Sequence, residues 1–161
     1  MVDTKKIEEM LMDSTFEVFE RMFYISIEPL NTNHIGGHIA AATIGFDGQS
    51  RGEVQLLLSR GFAEIMTQNM LSLSNTCEVT EKQIEDCAKE AVNMVCGNFL
   101  RKLDNEKGFN LSLPVFRRDL GGITYQGEGD LQGSAFALDF TSNGETMKVV
   151  MTMADRNYSD R

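Results

Sequence analysis

One stretch of the sequence places polar residues at a spacing that could act on another protein. Its members are Asp86, Glu90, Asn93 and Gly97. On an α-helix, which advances about 100° per residue, steps of three and four residues keep these positions on one narrow stripe. Two carboxylates, a carboxamide and a position without a side chain would form a polar prong beside a surface that another molecule can approach closely. This arrangement suits insertion into a partner.

The element that must carry this stripe is a long helix that begins at Thr80. Thr80 and Gln83 have the spacing of a capping box, and Glu81 lies at the positive end of the helix dipole. The helix is predicted to end near Leu103, before Asp104. An apolar stripe for the core comprises Ile84, Ala88, Ala91 and Val95. It lies about 150° from the polar stripe, which is therefore predicted to face outward.

Spacing alone leaves two interpretations of the polar stripe open. Asparagine and glycine inside a helix each cost about 0.5 to 1 kcal/mol relative to alanine, which suggests that a function compensates for Asn93 and Gly97. The alternative is that every amphipathic helix has a solvated face, which acidic residues and asparagine occupy without a role. Gly97 would then serve only the close packing of a neighbouring segment.

Hydrophobic periodicity predicts the elements around this helix. Helices are predicted over residues 4–23, 61–73 and 80–103, and strands over residues 23–30, 38–46, 52–59, 109–115, 122–126, 134–141 and 146–153. Asp47-Gly48 and Asn143-Gly144 are predicted hairpin turns, and Pro29 is expected to end the first strand. The fold class is α+β, with one predominantly antiparallel sheet covered by helices. The order of the elements also suggests an old duplication.

Length and charge limit the possible functions. The 161 residues suit a single domain over 1–161 with a polar, frayed tail over about 155–161. The net charge of -9 and the scattered basic residues argue against nucleic-acid binding. No apolar run is long enough for a membrane span, and the N-terminus lacks the order of a secretory signal, which predicts a cytoplasmic protein.

Other residues with chemical potential lack a supporting pattern. Cys77, Cys87 and Cys96 do not have the spacing of a zinc or redox motif and are expected to be reduced. His34 and His38 lie four residues apart, but the two glycines between them favour a turn or strand entry over a metal site. The glycine-rich residues 121–129 lack the Lys-Ser/Thr ending of a phosphate-binding loop.

The segment from Asp86 to Asn98 resembles the signature of the CheC/CheX/FliY chemotaxis phosphatases. That signature has an Asp or Ser, a Glu one turn later, an Asn one turn beyond, a Gly-Asn pair and a proline downstream, for which Pro114 is the candidate. Residues 16–29 and 48–73 resemble the first helix and strand, and the hairpin and second helix, of CheX-like members. The resemblance implies a pseudo-duplicated CheC/CheX-like fold.

The resemblance also implies a function, a phosphoaspartyl phosphatase that acts on a phosphorylated CheY-like response regulator. The receiver domain itself holds Mg²⁺, so this chain needs no cofactor of its own. In this interpretation Asn93 orients the attacking water, and Glu90 pairs with a receiver lysine. Asp86 supports docking, Gly97 leaves room for the receiver backbone, and Pro114 shapes the adjoining loop.

The first helix carries a second set of acidic residues at equivalent spacing, Asp13, Glu17 and Glu20. Because a carboxylate occupies the position that needs asparagine, the resemblance favours a CheX-like member with a single site. Such members tend to be homodimers joined through sheet edges, and the strand over residues 146–153 is the predicted edge. The alternative function is a non-catalytic receiver-binding module that resembles flagellar switch adaptors.

Overall fold

The computed structural model describes residues 3–30, 37–106, 108–118 and 134–155. The helical elements are α1 over Thr4–Phe16, a π-helical segment over Glu17–Met22, α2 over Arg60–Met70 and α3 over Glu81–Leu103. The strands are β1 over Glu28–Leu30, β2 over His38–Asp47, β3 over Ser50–Ser59, β4 over Asn110–Leu111, β5 over Val115–Arg118, β6 over Ser134–Ser142 and β7 over Glu145–Asp155. The order confirms the α+β prediction. No helix in the described ranges is both long and apolar enough to cross a membrane.

The strands form one antiparallel sheet in the order β1-β6-β7-β3-β2-β4, and β5 pairs with β2 next to β4. Every pairing is antiparallel, as predicted. The strand predicted over residues 122–126 lies outside the described residues. The open edges of the described sheet are therefore β1 on one side and β4 with β5 on the other.

The helices pack on one face of the sheet. In β3, Val54, Leu56 and Leu58 are fully buried and belong to the same hydrophobic core as the buried residues of α1, α2 and α3. Each such side chain contributes about 1.5 to 3 kcal/mol by its removal from water. Arg51 and Glu53 alternate with them and are exposed on the opposite face. The period of two in the sequence thus specifies which face the helices cover.

Both predicted hairpins are confirmed, but the first turn lies at Gly48 and Gln49, because Asp47 still belongs to β2. The amide of Gly48 donates a hydrogen bond of 3.0 Å to the carbonyl of Ser50, which closes the turn between β2 and β3. Asn143 and Gly144 have φ angles of 51° and 80° between β6 and β7. Asn-Gly is the preferred pair for a two-residue hairpin turn because such turns need positive φ at both positions.

The first predicted helix is correct in position but not in its regular geometry. After α1 the chain continues as the π-helical segment, whose hydrogen bonds span five residues where those of an α-helix span four. The extra residue rotates the later side chains. Val18 and Phe19 are fully buried in this segment, whereas Met22 at its end is 52% exposed.

The strand predicted over residues 23–30 is largely wrong. Its alternating burial is real, because Phe23 and Ile25 are buried and Tyr24 is exposed, but only Glu28–Leu30 pairs as a strand. The amide of Ile25 donates to the carbonyl of Phe19, and the side-chain amide of Asn69 donates to the carbonyls of Phe23 and Tyr24. These backbone groups are therefore satisfied by helices. Pro29, expected to end the strand, lies inside β1 at the edge, where its missing N–H costs no sheet hydrogen bond.

Two further predictions need correction. The strand over residues 109–115 is in fact the two short strands β4 and β5, separated by Ser112, Leu113 and Pro114. The strand over residues 146–153 is not an edge, because β7 pairs with β3 on one side and with β6 on the other. β7 includes Asp155, and the rest of the predicted tail, residues 156–161, lies outside the described residues.

Candidate functional site

The start of α3 is fixed by its own sequence. The hydroxyl of Thr80 accepts a 3.1 Å hydrogen bond from the amide of Gln83, and the side-chain oxygen of Gln83 accepts one of 2.9 Å from the amide of Thr80. This reciprocal pair is the predicted capping box. It satisfies backbone donors that would otherwise lack partners at the helix N-terminus.

Ion pairs also attach the first turns of α3 to two neighbouring elements. Arg60 of α2 donates to the carboxylate of Glu81 at 2.8 Å, and this hydrogen bond lowers the pKa of Glu81 below its ordinary value. Arg118 at the end of β5 lies 3.6 Å from Glu81 and 3.7 Å from Glu85. The N-terminal part of the helix is therefore held between α2 and β5.

The apolar stripe of α3 faces the core as predicted, since Ile84, Ala88, Ala91 and Val95 are all fully buried. Near the C-terminal end, the ammonium of Lys102 donates to both carboxylate oxygens of Glu17, at 2.9 and 2.8 Å. Packing and capping thus fix both the rotation and the position of the helix.

The polar stripe lies on the outside of this fixed helix. Asp86 and Glu90 are exposed, and Asn93 and Gly97 are partly exposed. Neither Glu90 nor Asn93 makes a hydrogen bond or an ion pair with any residue that the structure describes. A carboxylate and a carboxamide one turn apart are therefore free to engage another molecule.

Asp86 is not free in the same way. Its carboxylate lies 3.0 Å from the ammonium of Lys82, one turn earlier on the same helix. Hydrogen bonding to Asp86 raises the pKa of Lys82. An ion pair as exposed as this one is screened by solvent and contributes little to stability, so a partner could displace it easily.

Gly97 does not serve close packing among the described residues. A Cβ atom placed on Gly97 would meet no atom within 4 Å. The packing explanation of this glycine is therefore unsupported, and the surface beside Asn93 is open.

Pro114 lies in the two-part edge of the sheet, between β4 and β5. The strand β5 runs antiparallel to α3, because α3 leads into β4 and Arg118 at the end of β5 returns to the first turns of α3. Pro114 therefore lies in the loop that precedes β5, the strand whose last residue contacts the first turns of α3.

Exposed apolar side chains surround Pro114. Leu113 is 88% exposed, Val115 is 58% exposed and Leu111 is 41% exposed. The sequence pattern predicts a single strand over these residues and does not indicate an exposed apolar surface. Their spacing of two was the available signal, since alternate residues of a strand share one face. They form an exposed apolar margin at this edge of the described sheet.

The acidic residues of the first helix form no equivalent stripe. Asp13 belongs to α1, but Glu17 and Glu20 belong to the π-helical segment, whose wider turns break the α-helical spacing. Glu17 is also bound by Lys102. The predicted difference between the two helices therefore has a structural basis in addition to the missing asparagine.

The cysteines and histidines add no second site within the described ranges. Cys77 is exposed, Cys87 and Cys96 are buried, and all three are free thiols. Burial raises the pKa of Cys96 to about 12, so this thiol is not reactive near neutral pH. His34 lies outside the described residues. No described group of three or more His, Cys, Asp or Glu side chains is arranged to hold a metal ion.

Comparison with known proteins connects this geometry to a family. The family described as chemotaxis phosphatase CheX matches residues 40–140, which include all of α3 and Pro114. No curated protein matches the chain.

Solved structures share the fold over nearly the whole chain. CheX from Vibrio vulnificus is 21% identical with a TM-score of 0.77, and the match covers 96% of this chain and 100% of that one. CheX from Desulfovibrio desulfuricans is 19% identical with a TM-score of 0.76, over 92% of this chain and 99% of that one.

A third similar structure contains a partner. It is a complex of CheX with CheY, BeF3 and Mg²⁺ from Borrelia burgdorferi, which is 15% identical with a TM-score of 0.69. The match covers 91% of this chain and 97% of that one. On the family match over residues 40–140, supported by the shared fold, the chain belongs to the CheX family of chemotaxis phosphatases.

Proposed function

We propose that this chain is a cytoplasmic phosphatase that hydrolyses the aspartyl-phosphate of a CheY-like response regulator. The observation that carries the proposal is the pair of exposed Glu90 and partly exposed Asn93, both unpaired among the described residues on the outer face of α3. In a member of the CheX family, such a pair is available for insertion into a receiver. The CheX protein of the Borrelia complex is accompanied by CheY, BeF3 and Mg²⁺, which supports a receiver as the partner and as the holder of the metal.

The reaction requires little covalent chemistry from this chain. The oxygen of a water molecule attacks the phosphorus atom, the bond to the receiver's aspartate breaks, and inorganic phosphate and a free carboxylate are formed. Phosphoryl transfer passes through a loose, in-line transition state, so positioning the water and balancing charge are the main contributions available. A rigid helix with an unpaired polar side chain can supply the first of these.

Asn93 is the residue that we assign to the water. A carboxamide offers a hydrogen-bond donor and an acceptor, so it can orient a water molecule beside the phosphoryl oxygens. A carboxylate in the same position would repel those oxygens. The partly exposed position of Asn93 allows it to enter a pocket while its backbone stays within the helix.

Glu90 is the residue that we assign to docking. Its carboxylate can form a charge-assisted hydrogen bond with a lysine of the receiver's active site, which would align the inserted helix. Because Glu90 has no partner among the described residues, binding would not first have to break an internal ion pair.

The remaining members of the site have supporting roles in the proposal. Asp86 can exchange its weak pairing with Lys82 for a contact with the receiver. Gly97 leaves space, among the described residues, for the receiver backbone. Pro114 shapes the loop between β4 and β5.

The release of phosphate from a phosphorylated receiver tests the proposal. Addition of this chain should accelerate release over the receiver's own rate. Asn93→Ala should abolish the acceleration and leave receiver binding largely intact, whereas Glu90→Ala should weaken both. A wild-type chain that binds the receiver without accelerating release would instead indicate a non-catalytic adaptor.

We also propose that the chain forms a homodimer through an open sheet edge. Because β7 is central, the edges available in the described sheet are β1 and the pair β4 and β5. Sedimentation should give about twice the 18.0 kDa of one chain. A monomer alone at micromolar concentration would contradict the dimer.

A further inference from the structure

Arg101 continues the polar stripe of α3 beyond Gly97. It is exposed, and it follows Gly97 by one turn. With 3.6 residues per turn, Arg101 lies about 20° from Glu90 and about 40° from Gly97 around the helix, and about 12 Å beyond Asn93 along it. The stripe therefore ends in a cationic group.

The residue after Arg101, Lys102, is also basic but lies off the polar stripe. Lys102 lies about 100° further around the helix, where it is bound to both oxygens of Glu17. Arg101, in contrast, makes no hydrogen bond or ion pair with any residue in the described part of the chain. Of these two adjacent cations, Lys102 is paired with a residue of the same chain, and Arg101 remains available to a partner protein.

Gly97 has no side chain and so leaves space for the side chain of Arg101 over the preceding turn of the helix. Long side chains on a helix lean toward the N-terminus and lie over the preceding turn. For Arg101 the preceding turn carries Gly97, where a Cβ would meet no atom of the described residues within 4 Å beyond the helix's own backbone. None of the described residues packed at Gly97 therefore blocks the guanidinium from extending along the stripe.

The charge balance of the site indicates what Arg101 would bind. The chain carries a net charge of -9, and the stripe itself presents the carboxylates of Asp86 and Glu90. A receiver that holds Mg²⁺ must supply oxygen ligands, mostly carboxylates, around its phosphorylation pocket. Two acidic surfaces repel each other unless a cation lies between them.

We propose that Arg101 is a docking and specificity residue that binds a carboxylate at the rim of the receiver's Mg²⁺ pocket. The inference rests on the proposed phosphatase function and extends it to a residue outside the family signature. The planar guanidinium suits a bidentate contact with a carboxylate. Because the backbone of Arg101 lies about 12 Å beyond that of Asn93 along the helix, we assign Arg101 to complex formation and not to the reacting phosphoryl group.

A purely structural role is the alternative for Arg101. A basic residue in the last turn of a helix interacts favourably with the negative end of the helix dipole. That role would affect the unfolding temperature but not the steady-state kinetics with a receiver, so the two roles predict different readouts.

The test compares wild type, Arg101→Ala, Arg101→Lys and Arg101→Glu in phosphate release from an acetyl-phosphate-loaded CheY-like receiver with Mg²⁺. Arg51→Ala is the matched control, because Arg51 is also exposed but lies on the face of the sheet away from α3. We expect KM to rise about threefold to tenfold in Arg101→Ala with kcat unchanged, and further in Arg101→Glu. Arg101→Lys should recover part of the loss, and raising the salt from 50 to 300 mM should reduce the difference between wild type and Arg101→Ala.

The outcomes separate this inference from the proposed function. If wild type accelerates release and Arg101→Glu has the same KM as wild type, the docking role of Arg101 is refuted while the phosphatase assignment stands. An equal rise of KM in Arg51→Ala would also refute it, because the effect would then follow net charge alone. If wild type itself gives no acceleration, the proposed function is refuted. The role of Arg101 is then tested by comparing the dissociation constants of wild type and the Arg101 variants for the BeF3-loaded receiver.

Discussion

Substitution of Gly97 separates the stability of α3 from its use as a contact surface. The Cβ of an alanine at this position would meet no atom within 4 Å in the part of the chain that the structure describes, and Gly97 lies in the interior of the helix. Replacing glycine by alanine inside a helix stabilises it by about 1 kcal/mol, mainly because the unfolded chain loses less entropy. For a domain of this size, that change should raise the melting temperature by about 2 to 4 °C.

The same position should respond in the opposite direction when activity is measured. Gly97→Leu keeps a good helix former but places a branched side chain next to Asn93 on the surface that the receiver approaches. We expect kcat/KM for phosphate release to fall at least about tenfold, which corresponds to about 1.4 kcal/mol. Gly97→Ala should lose less activity than Gly97→Leu, because its side chain is smaller.

Gly144 provides a control for the stability measurement. A Cβ at Gly144 would also meet no atom within 4 Å, but its φ angle is 80°. Gly144→Ala should therefore destabilise the protein by about 1 kcal/mol, since a left-handed backbone is strained for alanine. The reasoning about the open surface would be refuted if Gly97→Leu were more stable than wild type and fully active.

Two further predictions follow from the titrating groups. Because burial raises the pKa of Cys96 to about 12 and also raises that of Cys87, a thiol reagent at pH 8 should label only Cys77 rapidly in the folded protein and all three thiols in denaturant. Rapid labelling of three thiols without denaturant would contradict this. The hydrogen bond from Arg60 lowers the pKa of Glu81 below 4.5, so the stabilisation from this pair is present above that pH and is lost as the pH falls through the lowered value. Arg60→Ala should return the Glu81 pKa toward 4.5 in an NMR carboxyl titration, and an unchanged pKa would show that Arg60 is not its cause.

Local signals in the sequence were sufficient for much of the fold and for the orientation of the site. The capping box at Thr80, the apolar stripe through Ile84 and the Asn143-Gly144 turn are determined by residues close together in the chain. The rotation of α3 followed from its apolar side alone, and so the exposure of Glu90 was predictable. These features do not depend on which strands pair across the sheet.

The errors occurred where distant residues decide the backbone. The segment after Met22 alternates in burial like a strand. Its carbonyl groups, however, accept hydrogen bonds from the side-chain amide of Asn69, which belongs to a helix far away in sequence. The central place of β7 depends on pairing with both β3 and β6, which periodicity cannot reveal. The ion pair of Glu17 with Lys102 likewise could not be predicted, because the two residues are far apart in sequence and meet only when the helices pack together.

The most direct test of the central claim compares two asparagines on the same helix. Asn93 and Asn98 are both partly exposed, but Asn98 lies about 140° further around α3 and so off the polar stripe. The measurement is the first-order rate constant of phosphate release from a phosphorylated receiver in the presence of Asn93→Ala or Asn98→Ala. Our account predicts that Asn93→Ala leaves only the receiver's own rate and that Asn98→Ala retains the acceleration of wild type. Acceleration that persists in Asn93→Ala would contradict the account.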